Sequence, residues 1–65
     1  MGPIFELLST LSPGIDVDAV FINGKEVKVK SFATFNATTG LAYFVRHNSK
    51  VLVVDYTRID AIEFD

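Results

Sequence analysis

Apolar residues along the chain first recur with a helical period and then switch to alternation. Ile4, Leu7, Leu8 and Leu11 stand at i, i+3, i+4 and i+7, one face of a helix, and Phe5 widens that face. Pro3 suits the first helical turn and Ser12-Pro13-Gly14 stops the run, so the spacing predicts a helix over residues 3–12. So short a helix is unstable alone in water and has to lie against an apolar surface.

From Ile15 onward the period is two. Ile15, Val17, Ala19 and Phe21 alternate with Asp16, Asp18, Val20 and Ile22, a strand that starts half-exposed and ends apolar on both sides. Asn23-Gly24 is a strong hairpin signal, because a type I′ turn needs positive φ at both central residues. In the returning strand Val27 and Val29 point one way, Glu26, Lys28 and Lys30 the other. Phe32 breaks that parity, and one extra residue near Lys30-Ser31 repairs it: a β-bulge, hence a sharp bend. Asn36–Gly40 reads as a loop, Leu41–Val45 as a third strand and Arg46-His47-Asn48-Ser49 as a polar turn. Lys50–Val54 is a fourth strand with both faces apolar, Asp55–Arg58 a tight connector and Ile59–Phe64 a fifth strand.

The predicted architecture is mainly β. A short N-terminal helix precedes a five-stranded, strongly bent antiparallel barrel over residues 15–65, within a single domain spanning 1–65. Sixty-five residues with 49% hydrophobic content make a small domain with much apolar surface to hide. There is no cysteine and one histidine, so disulfides, thiolate metal sites and a zinc site are not expected. Asp16 and Asp18 share a strand side, but two carboxylates are too few to cage a hard cation. No metal and no cofactor is expected. A net charge of −2 gives no general pull toward nucleic acid or anionic lipid. No signal peptide and no membrane-length apolar run is visible, which points to a cytoplasmic protein without a membrane partner. Asn36-Ala37-Thr38 matches the glycosylation sequon, a coincidence in that setting.

Three stretches carry a family resemblance. Val20-Phe21-Ile22-Asn23-Gly24-Lys25 resembles the first strand and Asn-Gly turn of the Sm-like proteins, specifically their bacterial Hfq-like branch. Phe32-Ala33-Thr34-Phe35-Asn36 is similar to the family's hydrophobic-x-x-Phe-Asp step, with Asn36 at the acidic position. Val53-Val54 through Ile59-Asp60-Ala61-Ile62 resembles the short fourth strand, one-turn connector and fifth strand. The family's glycine in the second strand is Val29 here. Its connector cation, Arg-Gly or Lys-His, is replaced by Asp55-Tyr56-Thr57.

That resemblance implies a small barrel assembled as a cyclic homo-oligomer of about five to seven subunits. The fourth strand of one copy would pair with the fifth of the next, through Val51, Leu52, Val53, Val54, Ile62 and Phe64. The residues support this independently: Val51-Leu52-Val53-Val54 carries no charge and no proline, and such an edge left open invites aggregation. The alternative is that this strand is internal to a monomeric barrel. In a ring, Phe35, Asn36, Thr38 and Thr39 would face the pore with Tyr56, Thr57 and Arg58. Aromatic rings stack bases and an asparagine reads base edges, so the resemblance implies single-stranded RNA as a partner. The alternative there is that Phe35 and Tyr56 close the end of the barrel. Lys25, Lys28, Lys30, Arg46, His47 and Lys50 form either a field repeated around a ring or an ordinary solvated strand side. No nucleophile, base and orienter converge in the pattern, so the protein is not expected to be an enzyme. Ring-forming RNA binder and SH3-like structural or protein-interaction module are the two functional expectations.

Overall fold

Alternation and turn chemistry decide most of the backbone, as a computed structural model describing residues 2–65 makes visible. The helix, α1, spans Pro3–Thr10, with the proline at its start. It buries Leu8 fully and packs Ile4 and Leu11 against the core. The expected extension to residue 12 does not occur, because Leu11 is already extended at φ −71° and ψ 139°. Pro13 disfavours helical backbone at Ser12; Thr10 donates its hydroxyl to Leu7 O, a carbonyl of the last turn, and Ser9 donates back to Phe5 O, each at 2.8 Å.

Six strands follow: β1 (Val17–Ile22), β2 (Lys25–Lys28), β3 (Ser31–Asn36), β4 (Leu41–Val45), β5 (Val51–Asp55) and β6 (Ile59–Phe64). A short 3₁₀ turn, η1 (Tyr56–Arg58), separates the last two. The strands form two three-stranded antiparallel sheets, ordered β2-β1-β6 and β3-β4-β5. This corrects the expectation of five strands closed into a barrel. The bend near Lys30 interrupts the long second strand and yields β2 and β3. Closure fails because β5 pairs with β4 alone and β6 with β1 alone among the described residues.

The turn at Asn23-Gly24 has φ of +52° and +82°, the left-handed pair the hairpin requires. At the bend, the chain passes from one sheet to the other without losing its hydrogen bonds. Val29 N–H donates to Asp18 O at 3.1 Å; Lys30 O accepts from Val17 N–H at 3.2 Å, and Lys30 N–H donates to Val45 O at 2.7 Å. Val29 is fully buried. The core draws on both sheets and the helix: Leu8, Val17, Val20, Val29, Phe32, Ala42, Phe44, Val54 and Ile59. Phe32 and Phe44 are direct cross-strand partners and meet edge to face at 5.7 Å.

Ile15 stays outside the first strand and is exposed, contrary to the alternation. Its backbone is held outside β1, its N–H donating to Ser12 O at 3.2 Å and its O accepting from Phe32 N–H at 2.9 Å, while a register shift between Val17 and Ala19 against β6 accompanies the burial of both Ala19 and Val20. Among the described residues, no helix is long and apolar enough to cross a membrane.

Candidate functional site

Two surfaces compete as the functional part of this chain: one end of the molecule, and its two open sheet edges. At the end, the β3–β4 loop and η1 are joined by backbone, Tyr56 N–H donating to Gly40 O at 2.9 Å. Gly40 is required there. Its φ is +78°, and a Cβ would stand 3.2 Å from the Tyr56 ring. The fold therefore brings Phe35, Asn36 and Thr38 to the same end as Tyr56, Thr57 and Arg58.

Most of their chemistry is spent locally. Phe35 and Tyr56 are half-buried, and both pack edge to face on Phe5 of α1, with centroids at 5.3 and 5.1 Å. Phe35 and Tyr56 also face each other at 6.2 Å. Asn36 Oδ1 accepts from the N–H groups of Thr38 and Thr39 at 2.9 and 3.2 Å, which shapes the loop. Asp55 does the same for η1, its Oδ1 accepting from the N–H of Thr57 at 2.9 Å and its hydroxyl at 2.8 Å. Thr57 is thus engaged, while Arg58 and Thr38 are exposed. Phe5 is the member that periodicity undervalues. One position off the helical stripe, it reads as a flank yet forms the centre of the aromatic cluster.

The hydrogen bonds of Thr57, backbone first, and the nearby Arg58 charge hold the Asp55 carboxyl below its ordinary value. A depressed folded value contributes stability above the unfolded pKa of about 3.9, lost as pH falls through the folded value. The difference in melting temperature between the native chain and Asp55→Ala is therefore expected to be present at neutral pH and to shrink in acid. Thermal melts by circular dichroism from neutral pH down into the carboxylate range measure it; a pH-independent gap would show that the carboxylate charge plays no part in the cap.

The cations do not form one field. Lys28 Nζ lies 3.2 Å from Asp18 and 3.4 Å from Glu26, and these two carboxylates raise its pKa, Asp18 the more strongly. Asp18 is thereby an ion-pair partner. Lys28, Arg46, His47 and Asn48 line an open cleft of about 190 Å³ beside the β4–β5 turn. Lys25 sits at the opposite end of β2, next to the Asn23-Gly24 turn.

On the β5 and β6 edges, the four expected interface residues of β5 divide by parity, and the two of β6 by distance from the strand end. Val54 is buried, and Leu52 and Ile62 are half-buried against the core. Val51, Val53 and Phe64 face outward, 59%, 48% and 41% exposed. Apart from Ile15, these are the exposed large hydrophobics among the described residues, and all three lie on the strands that lack a second partner. The total surface of 4069 Å² is ordinary for 7.2 kDa, for which roughly 4,100 Å² is typical. What is unusual is where the apolar part sits, not how much surface there is.

Comparison with known proteins gives no matching family model, no matching curated protein and no matching solved structure. The functional reading rests on the residues and their geometry.

Proposed function

We propose that this chain is a non-catalytic self-assembling module, in which β5 of one copy adds to β6 of the next and the series closes into a cyclic homo-oligomer. One observation carries the reading: of the four strands with a single strand partner, β5 and β6 bear Val51, Val53 and Phe64 on the surface, whereas β2 carries Lys25, Glu26 and Lys28 and β3 is bridged by the chain around Asp16. An edge that is apolar and unblunted templates strand addition. An unlike pair, β5 to β6, leaves each copy with both edges satisfied only when the ring closes. The helix, bent strand and one-turn connector support an Sm-like form of this assembly. Its subunit number is borrowed from that resemblance.

Structural or protein-interaction use fits the end of the molecule better than RNA binding. The aromatics that would stack bases pack on Phe5, and Asn36 Oδ1 is occupied by its own loop. The connector offers the Asp55 carboxylate where phosphate binding needs a cation. Histidine and the carboxylates lie on exposed surface rather than converging on a reacting centre, which favours binding over catalysis.

Light scattering on the purified chain is expected to give a mass several times 7.2 kDa. A monomer mass at high concentration overturns the proposal. Labelled oligo-U and oligo-A, added at low salt to the assembled protein, are expected to give no shift. A saturable, salt-sensitive shift would restore single-stranded RNA as the ligand.

A further inference from the structure

Charge along the two open edges is sorted by end. Arg46 and Lys50 stand at the turn that leads into β5, whereas Glu63 and Asp65 stand where β6 finishes. All four are exposed, and none forms an ion pair within the chain among the described residues. We propose that the Arg46–Lys50 turn of one copy clasps Glu63 and Asp65 of the next, which fixes the edge-to-edge contact as antiparallel. This rests on the assembly reading above and adds to it the polarity and the salt dependence of the contact.

The argument is one of strand direction. In an antiparallel pair the beginning of one strand lies beside the end of the other, so Lys50 meets Glu63 and Asp65. The far end is balanced, with Asp55 beside Arg58 and Asp60, which carry opposite signs. A parallel pair would instead set Asp55 against Glu63 and Asp65, three carboxylates at one end, and would leave Arg46 and Lys50 away from them. A third arrangement, β5 against β5 about a two-fold axis, places Lys50 against Asp55. It leaves Phe64 uncovered and draws on a carboxylate that already holds Thr57. Only the unlike antiparallel pair covers all three outward hydrophobics and opposes every unpaired charge at the clasp end. The basic cleft beside the β4–β5 turn gives the acidic strand end a place to lie, because Arg46 and His47 line it.

The test is a charge swap read by sedimentation and light scattering, with circular dichroism to verify folding. Native assembly is expected to weaken on going from about 50 mM to about 500 mM salt, since exposed pairs are screened. A chain carrying R46E and K50E, and another carrying E63K and D65K, are each expected to assemble at least roughly fivefold more weakly than the native chain. Mixed one to one, they are expected to assemble again, because each contact between unlike variants pairs opposite charges, at every joint of an even-numbered ring and at all but one of an odd-numbered ring. If the acidic-turn chain stays dissociated in the mixture while the basic-end chain assembles alone, β5 pairs with β5 and the clasp is wrong. Native assembly with both variants unaffected also overturns the clasp, while leaving the module intact. A native monomer overturns the assembly reading itself, and the clasp with it.

Discussion

Phe44→Ala is expected to leave the chain without a cooperative fold at room temperature. Phe44 is fully buried, sits on β4, the middle strand of its sheet, and is the direct partner of Phe32. Truncating a buried phenylalanine costs about 3–5 kcal/mol through lost transfer energy and the cavity left behind. A single core in so small a domain supplies only about 3–5 kcal/mol in total. The two quantities are equal within error, so no margin remains. Disulfides are absent from the chain, and no covalent staple offsets the loss. Urea titration followed by circular dichroism is the measurement. A cooperative transition within a fraction of a molar of the native midpoint would mean that the stability resides elsewhere, for instance in assembly.

Val53→Lys is expected to do the opposite: keep the fold and remove the assembly. Val53 lies on β5 with its side chain outward, so a lysine there meets solvent in the isolated subunit and costs little. In a strand-paired contact the same ammonium would be desolvated on an otherwise apolar edge, which is how natural sheets blunt their margins. Light scattering should then report one chain with an unchanged spectrum. Val54→Lys is the control of opposite parity. Val54 is buried, so its replacement should unfold the chain before any question of assembly arises. If Val53→Lys keeps the native mass, β5 is not the contact.

How much of this was legible in the residues depends on whether the determinant is local. The Asn23-Gly24 turn is local chemistry, and its two positive φ values follow from the dipeptide. The bend is nearly local: the parity conflict between Val29 and Phe32 announces an extra residue, and the break falls where that conflict places it. Ile15 shows the limit. Its place in the alternation is sound over a regular strand, but its backbone is taken up by Ser12 and by Phe32 on β3, outside β1, and the second of these contacts is not local. The helix ends at Thr10, two residues short of the expected stop at 12, because Leu11 continues the apolar stripe while its backbone has already turned extended.

The candidate site follows the same division. Phe35, Asn36 and Tyr56 could be listed from their types, but whether a ring is free to stack depends on what lies over it. Phe5, from a helix at the other end of the sequence, lies over both. Likewise the apolar run of β5 reads as buried on both sides, yet only Leu52 and Val54 find a core. Alternation tells which residues share a side of a strand; it does not tell whether that side has a neighbour.

One residue ties the whole together. The N–H of Lys30 goes to β4 and its carbonyl oxygen takes a bond from β1, so the same residue is stitched into both halves of the protein. Neither half can therefore swing away while the other keeps its hydrogen bonds, and the two leaves must rise and fall as one unit. The core shared by both sheets and the helix adds to that junction and resists a change of angle between the leaves. A closed circle of identical subunits demands this, since any play at the joint would accumulate from copy to copy and leave the last gap unsealed.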